Sequence, residues 1–197
     1  MNEPFAPEVA AAAERFARRA AREGLIDIGY DEVDSPWGRM LAAASDRGLL
    51  LLLFPENDVE AHLRGLAARV SPRILRSARA LEPTRRELGE YFEGRRRNFD
   101  LPIDWDAVLS GFGRRVLEYT SAIPYGQVRT YREAATAAGN AAASRAAGNA
   151  LGANPIPIIV PCHRVVRTGG GLGGYGGGLP RKEWLLDLER GRPGLLS

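Results

Sequence analysis

The sequence is short of the residues from which cross-links and metal sites are built. Among its 197 residues there is a single cysteine, Cys162, and there are only two histidines, His62 and His163. One thiol cannot form an internal disulfide, and these three side chains are too few for a multi-cysteine zinc site. We therefore expect no disulfide and no bound metal or other cofactor, and we interpret His62 as a surface residue.

Long apolar segments are missing as well. The apolar run at residues 49–54 is much shorter than the roughly 20 residues that a membrane-spanning helix needs. The N-terminus does not have the pattern of a secretory signal peptide. A free thiol in such a chain fits a reducing compartment. We expect a cytoplasmic protein without a membrane partner.

Charge is distributed unevenly along the chain. Residues 1–100 carry 16 basic and 17 acidic side chains, a net charge of −1, whereas residues 101–197 carry 11 and 7, a net charge of +4. The half that contains the cysteine is therefore basic, which suits a polyanionic partner without proving one. All but one of the 27 basic residues are arginine, the exception being Lys182, and we attribute this bias to codon usage.

The stretch around the cysteine predicts a strand. Residues 156–166 are rich in β-branched side chains, and two prolines should end the ladder or place the segment at a sheet edge. Cys162 would then be presented to solvent, where His163, Arg164 and Arg167 could lower its pKa. The alternative is an inert core cysteine, because free cysteine is among the most buried residue types.

The first half of the chain predicts an N-terminal helix followed by a small sheet. Residues 7–24 are typical of a helix with a thin apolar face. Residues 26–54 alternate short strands with turns at 35–38 and 45–48, which predicts a meander. Two helices and a last strand or linker follow, at residues 56–68, 83–92 and 99–103.

The second half predicts helices. A broad apolar face marks residues 106–122, and a capping box at 130–133 opens a short helix. This short helix and a second one at 141–153 form a helix-turn-helix. A last helix starts at Pro180. We expect an α/β (α+β) protein built from an N-terminal extension, a small sheet-and-helix domain, and a helical domain carrying the helix-turn-helix and Cys162, at residues 1–24, 25–100 and 101–197.

Two segments of the second half are poor in side chains. The helix at 141–153 is mostly Ala and Gly with Arg145 as its one long cation, which suits either close approach to nucleic acid or tight packing on a neighbour. The loop at 168–179 contains a G-x-G-x-x-G pattern, but no following strand completes a dinucleotide-binding unit. Beside a nucleophile, such a loop lets backbone approach a planar base, with Tyr175 as a stacking wall.

The residues around Cys162 resemble a known family. Asn154-Pro155-Ile156-Pro157 and residues 161–165 are similar to the active-site signature of the O6-alkylguanine-DNA alkyltransferases, also called methylated-DNA–protein-cysteine methyltransferases, and the likeness extends from residue 123 to residue 189. The resemblance implies direct repair of double-stranded DNA by a monomer. It implies that the alkyl group of O6-alkylguanine passes irreversibly to Cys162, and it leaves O4-alkylthymine as a second candidate substrate.

The resemblance also implies roles for catalytic residues. Glu183 would orient His163, and His163 would take the thiol proton of Cys162 through a water. Tyr131 would assist the departing guanine. Asn154 would brace the turn before the active-site strand.

DNA contacts and the base pocket follow from the same resemblance. The second helix of the helix-turn-helix would enter the minor groove, Arg145 would fill the gap left by a flipped nucleotide, and Tyr131 would help to rotate the 3′ phosphate. Backbone at Cys162 and Val165 would receive the exocyclic amine of guanine, and backbone near Gly176 would bond the alkylated oxygen, although many members carry a polar residue there. The remaining groove and pocket positions are Ala141, Gly148, Asn149, Tyr175 and Gly177.

Two other functions compete with alkyl transfer. A lesion-binding module could recognise alkylated bases without transfer, but non-enzymatic relatives replace the cysteine that this chain retains at position 162. A cysteine hydrolase would need an acyl substrate and an oxyanion hole, which the sequence does not indicate.

Overall fold

The computed structural model describes residues 23–192 and, N-terminal to them, positions 12, 15–16 and 19–20, which are helical. Most of the helix predicted at residues 7–24 therefore lies outside the described residues.

A four-stranded sheet forms the core of the first part. Strands β1 (Ile28–Ser35), β2 (Gly38–Ser45) and β3 (Gly48–Leu53) are antiparallel neighbours, and β4 (Ile74–Arg76) runs parallel to β1, which gives the order β3-β2-β1-β4. The predicted meander and its two turns are confirmed. The sequence did not indicate β4, because three residues are too few to establish an alternating pattern.

Two helices flank this sheet. Helix α1 (Val59–Arg69) begins at Asp58, whose side chain accepts from the Ala61 N–H, and helix α2 (Glu82–Phe92) follows a short 3-10 turn. Residues 99–103 form no strand and make a single bridge, between Ile103 and Leu49. They act as the linker to the second part.

The helix predicted at residues 106–122 is two helices, α3 (Trp105–Val108) and α4 (Gly111–Ser121). The backbone of Leu109 and Ser110 is extended and Gly111 has a φ of 62°, a conformation that glycine adopts more readily than other residues. The chain therefore kinks where an unbroken apolar pattern predicted continuity.

The helix-turn-helix is confirmed. Helix α5 (Tyr131–Ala137) opens with the predicted capping box, in which Thr130 and Glu133 bond each other's backbone N–H. Helix α6 (Ser144–Gly152) starts three residues later than predicted, so Ala141 lies in the turn. Helix α7 (Leu179–Glu189) closes the described chain.

The segment before Cys162 is a tight turn, and the strand predicted there is wrong. Only Val165–Val166 forms a strand, β6, which pairs in parallel with β5 (Arg129–Thr130). Residues 156–160 curl so that the Val160 N–H reaches the Ile156 carbonyl, and Ile158 has a φ of 74°, which is unusual for a β-branched residue. The prolines remove two ladder donors, and packing outweighs β-propensity.

Both parts share one hydrophobic core. Tyr91 and Leu88 of α2 pack in the same buried cluster as Val116 and Leu117 of α4. Aromatic rings extend the contact, including Trp37 and Trp184, whose centroids are 5.1 Å apart. The sheet part therefore docks directly behind the turn that carries Cys162.

The turn between β2 and β3 requires glycine. Gly48 has a φ of 138°, and a Cβ there would lie 2.5 Å from the Pro102 carbonyl oxygen. Gly48→Ala should lower the free energy of unfolding by about 2 kcal/mol or more, measured by urea denaturation. Gly65→Ala is the matched control, because nothing lies within 4 Å of its added Cβ and alanine favours a helix by up to about 1 kcal/mol. Equal effects at the two positions would contradict this interpretation.

Candidate active site

Cys162 is the first residue of a 3-10 turn, Cys162–Arg164, and only 6% of it is exposed. The expectation that it is presented to solvent at a sheet edge is wrong. It lies in the shared wall of two cavities. The helix-side cavity, of about 490 Å³, is bounded by Tyr131, Arg145, Gly148, Asn149 and Gly174. The sheet-side cavity, of about 650 Å³, is bounded by Leu51, Leu53, Leu109, Pro155 and Pro157.

Asn154 holds the thiol and the turn together. Its Nδ2 lies 3.1 Å from the Sγ of Cys162 and donates to the Val160 carbonyl at 2.9 Å. Its Oδ1 accepts from the Ile156 N–H at 3.0 Å. One amide side chain thus fixes three points of the segment between α6 and the 3-10 turn.

The thiol is protonated at neutral pH. Burial raises the pKa of Cys162 to about 11, which outweighs the hydrogen bond from Asn154 and the charge of Lys182. The expectation that nearby cations activate the thiol by lowering its pKa is therefore wrong. Nucleophilic attack requires a base that removes the proton during the reaction.

His163 is suited to be that base. It is fully buried, and its Nε2 lies 2.8 Å from Oε1 of Glu189. An ionised carboxylate only accepts, so Nε2 carries the proton and Nδ1 keeps its lone pair. Among the described residues, Nδ1 has no hydrogen-bond partner. Burial lowers the pKa of His163 against the opposing effect of Glu189, so the imidazole is neutral and able to accept a proton.

Glu189 gathers the charged and polar groups behind this histidine. Arg164 donates to both carboxylate oxygens, at 2.8 to 3.1 Å, and Tyr91 donates to Oε1 at 2.7 Å. The Gly126 N–H donates to Oε2 at 2.9 Å. Burial alone would raise the pKa of Glu189, but hydrogen bonds from His163 and the charge of Arg164 lower it to about 2. The carboxylate stays ionised inside the protein.

Glu183 does not orient the histidine. It is exposed on α7, whereas Glu189, six residues further along the same helix, is buried against His163. Six residues turn an α-helix through about 600°, so the two carboxylates lie on different faces. The predicted role passes to Glu189, which ends the stretch of resemblance to the family.

Most of the residues predicted to contact DNA lie together along the helix-side cavity. Tyr131, Arg145, Gly148 and Asn149 all line it, and the Tyr131 hydroxyl donates to the Gly174 carbonyl at 3.2 Å. Ala141 is exposed in the turn before α6 and is not among the lining residues.

The glycine loop leaves no space for side chains where it meets the rest of the protein. A Cβ on Gly173 would lie 2.5 Å from the Tyr131 hydroxyl, and one on Gly177 would lie 2.5 Å from the Phe54 ring. Tyr175 borders both cavities, and its buried hydroxyl has no partner among the described residues. The loop forms the floor on which a flat ligand could lie.

Lys182 is a buried cation that the sequence analysis overlooked. Its Nζ donates to the carbonyls of Val165 at 2.6 Å, Leu172 at 2.5 Å and Gly174 at 3.3 Å. Burial lowers its pKa to about 8. That Lys182 is the only lysine among arginines was a usable signal. The three N–H groups of an ammonium share one nitrogen and can donate to three carbonyls that converge on it, whereas the N–H groups of a guanidinium are spread over a plane.

Within residues 23–192 and the few described positions before them, no cluster of three His, Cys, Asp or Glu side chains could hold a metal ion. In the same part of the chain, no helix is both long and apolar enough to cross a membrane.

A sheet packed on a helix-turn-helix part, with a buried cysteine, histidine and glutamate, fits the class of proteins that carry out cysteine-dependent chemistry on DNA. Profiles of the 6-O-methylguanine DNA methyltransferase family match in both parts, the ribonuclease-like domain at residues 28–105 and the DNA-binding domain at residues 111–191. The chain belongs to the methylated-DNA–protein-cysteine methyltransferase family.

Individual relatives agree with this assignment. The methylated-DNA–protein-cysteine methyltransferase of Mycolicibacterium paratuberculosis is 44% identical over 83% of this chain and 93% of its own length. The Methanosarcina barkeri protein of the same name is 38% identical over 81% and 96%. A crystal structure of Mycobacterium tuberculosis OGT in complex with DNA superposes with a TM-score of 0.71 at 37% identity, over 84% of this chain and 94% of that one.

Replacing Glu189 tests whether it stabilises the site as an anion. Glu189→Gln should lower the free energy of unfolding at pH 7 by about 3 kcal/mol, because it leaves the buried Arg164 without a counter-charge. The pKa of Glu189 is lowered from 4.5 to about 2, so this stabilisation is present above about 4.5 and disappears as the pH falls to about 2. Urea denaturation should therefore show that the free energies of unfolding of the variant and the unsubstituted protein converge as the pH falls through this range.

Glu183→Gln is the matched control for that experiment. Because Glu183 is exposed, the free energy of unfolding of the Glu183→Gln variant should stay within about 0.5 kcal/mol of that of the unsubstituted protein at every pH. A loss at Glu183 as large as that at Glu189 would contradict the assignment.

Proposed function

We propose that this protein repairs alkylated DNA by transferring the alkyl group of O6-alkylguanine to Cys162. The observation that carries the proposal is a buried thiol at the wall of a cavity next to a helix-turn-helix, followed directly in the chain by a buried histidine whose Nδ1 has no partner among the described residues. A cysteine and a histidine of this kind can supply a nucleophile and its base.

The reaction balances with this chain's own groups. His163 Nδ1 takes the thiol proton, the sulfur attacks the alkyl carbon, a carbon–sulfur bond forms and the bond between that carbon and O6 breaks. The departing guanine oxygen needs a hydrogen bond or a proton, and Tyr131 is the donor at the edge of the cavity. Glu189 keeps the resulting imidazolium in place.

The proposed partner is double-stranded DNA bound by α6 in the minor groove, with the protein acting as a monomer. Small residues on α6 support close approach, and Arg145 is exposed beside the cavity. An alkylated base that leaves the stack would enter the helix-side cavity, while Arg145 takes its place in the duplex. In the proposed division, residues 25–100 support the site and residues 101–197 carry it.

The glycine loop and the 3-10 turn would hold the base. Tyr175 offers a ring face, and the backbone of Gly176 and Val165 offers a donor and an acceptor. A Cβ at Gly176 would lie 3.3 Å from the Gly152 carbonyl oxygen. The absence of a side chain at this position therefore leaves the mouth of the pocket open where relatives with a polar residue would narrow it.

Transfer to cysteine should occur once per molecule. A thioether has no electrophilic carbonyl for water to attack, and Cys162 is the only cysteine. With excess methylated duplex, methylated protein should rise to a plateau of one methyl per chain, on the peptide that contains Cys162, as measured by mass spectrometry. Cys162→Ala should bind the duplex but gain no methyl, because phosphate contacts supply most of the affinity. Product that continues to form after the plateau would contradict single turnover, and an unmodified Cys162 would favour a lesion-binding module.

Arg145 should matter only when the base must leave a duplex. Arg145→Ala should slow methyl transfer from duplex DNA by about tenfold or more, because unstacking costs a few kcal/mol and Arg145 offsets part of it. Reaction with the free base O6-methylguanine should be nearly unchanged.

Arg79→Ala is the charge-matched control for this variant. It removes the same charge from an exposed position in the first part of the chain, and it should alter neither rate. Equal losses on both substrates for Arg145→Ala would indicate a defect of the pocket instead.

A further inference from the structure

Among the described residues, one side chain from the sheet part of the protein donates a hydrogen bond to the Glu189 carboxylate. Tyr91 lies on α2, is fully buried, and donates its hydroxyl to Oε1 of Glu189 at 2.7 Å. The same oxygen accepts from Nε2 of His163. We propose that Tyr91 is a positioning residue of the alkyl-transfer reaction, supplied by the first domain to the second. This inference rests on the proposed function.

Packing fixes the hydroxyl in place. The Tyr91 ring lies against Phe92, Phe99 and Tyr125, with centroids 5.2 to 6.1 Å away. Three aromatic neighbours restrict its rotation, so the hydroxyl keeps its direction toward Glu189. It also lies 3.5 Å from Nε2 of His163, too far for a good hydrogen bond but close enough to confine the imidazole.

The hydroxyl controls how strongly Glu189 attracts the proton on His163. A hydrogen bond to a charged oxygen draws off part of its negative charge. Without Tyr91, Oε1 would interact more strongly with His163 and favour the imidazolium, which cannot accept the thiol proton. Tyr91 thus keeps the base neutral as well as oriented.

The other groups that act on the imidazole stay in place when only this hydroxyl is removed. Glu189 and Lys182 act from α7 and Arg164 acts from the 3-10 turn, and the Tyr175 ring lies with its centroid 6.4 Å from that of the imidazole. Arg164 still pairs with Glu189, so no buried charge loses its partner. Tyr91→Phe keeps the ring and its packing, and it isolates the effect of one hydrogen bond.

The experiment measures methyl transfer from a methylated duplex under single-turnover conditions, from about pH 5.5 to about pH 8.5. Tyr91→Phe should slow transfer at pH 7 by about three- to tenfold. The pH at which the rate falls on the acidic side should move upward, because His163 becomes protonated at a higher pH. The final yield should stay at one methyl per chain.

Tyr125→Phe is the matched control. It removes a hydroxyl that donates to the Leu188 carbonyl at 3.2 Å, at the same end of α7 but without touching the Glu189 carboxylate. Its rate and pH profile should match those of the unsubstituted protein. Thermal unfolding of all three proteins shows whether either variant loses stability.

The outcomes separate the two claims. If the unsubstituted protein transfers no methyl group, the proposed function fails and this inference fails with it. If it transfers methyl and the Tyr91→Phe profile superposes on it, the function stands and the role of Tyr91 is refuted. A Tyr91→Phe rate lowered by one constant factor at every pH would also refute it, because the proposed effect on the protonation of His163 must change the pH profile.

Discussion

The docking of the two parts of the protein depends on one buried carboxylate, that of Glu189. The Glu189 side chain has no exposed surface, and an unpaired carboxylate in such a place is unfavourable by several kcal/mol. Five donor groups offset this, from three separate segments: Arg164 with two nitrogens and His163 from the 3-10 turn, Tyr91 from α2, and Gly126 from the loop after α4. The carboxylate is satisfied only when these segments dock together, so the same contacts that assemble the two parts also assemble the site.

In this arrangement the Cys162 thiol has low reactivity in the free protein. The thiol is buried and protonated, with its pKa raised to about 11. Because the thiolate is the reactive form, this thiol reacts poorly with oxidants and electrophiles from solution. In the proposed reaction it becomes a nucleophile only when an alkyl carbon is held beside it and His163 takes its proton. If each molecule reacts once, as proposed, low reactivity toward other compounds preserves the thiol for its substrate.

The sequence predicted the elements that local chemistry determines. The turns at 35–38 and 45–48 fixed the meander, and the Thr130–Glu133 capping box fixed the start of α5. Local patterns failed where distant packing decides. Residues 156–160 have the composition of a strand but curl around Asn154, and an unbroken apolar face concealed the kink before Gly111.

The same limit applies to the candidate site. Cys162 and His163 stand out as rare residues, but Glu183 and Glu189 lie on one helix and only their tertiary surroundings distinguish them. Tyr91 is 98 residues from Glu189, and no local pattern links positions so far apart. Lys182 was visible as the only lysine, and its three carbonyl partners explain why this position differs from the arginines elsewhere.

The central claim is that a neutral His163, protonated on Nε2 and held by Glu189, takes the proton of Cys162. The most direct measurement is the ¹⁵N NMR spectrum of the two imidazole rings in the free protein at about pH 7, with His62→Gln used to assign the signals. We expect the His163 signals of a neutral ring with the proton on Nε2 and an unprotonated Nδ1. An imidazolium, or a neutral ring with the proton on Nδ1, would contradict the claim. Neither has a lone pair on Nδ1, the atom that must accept the thiol proton.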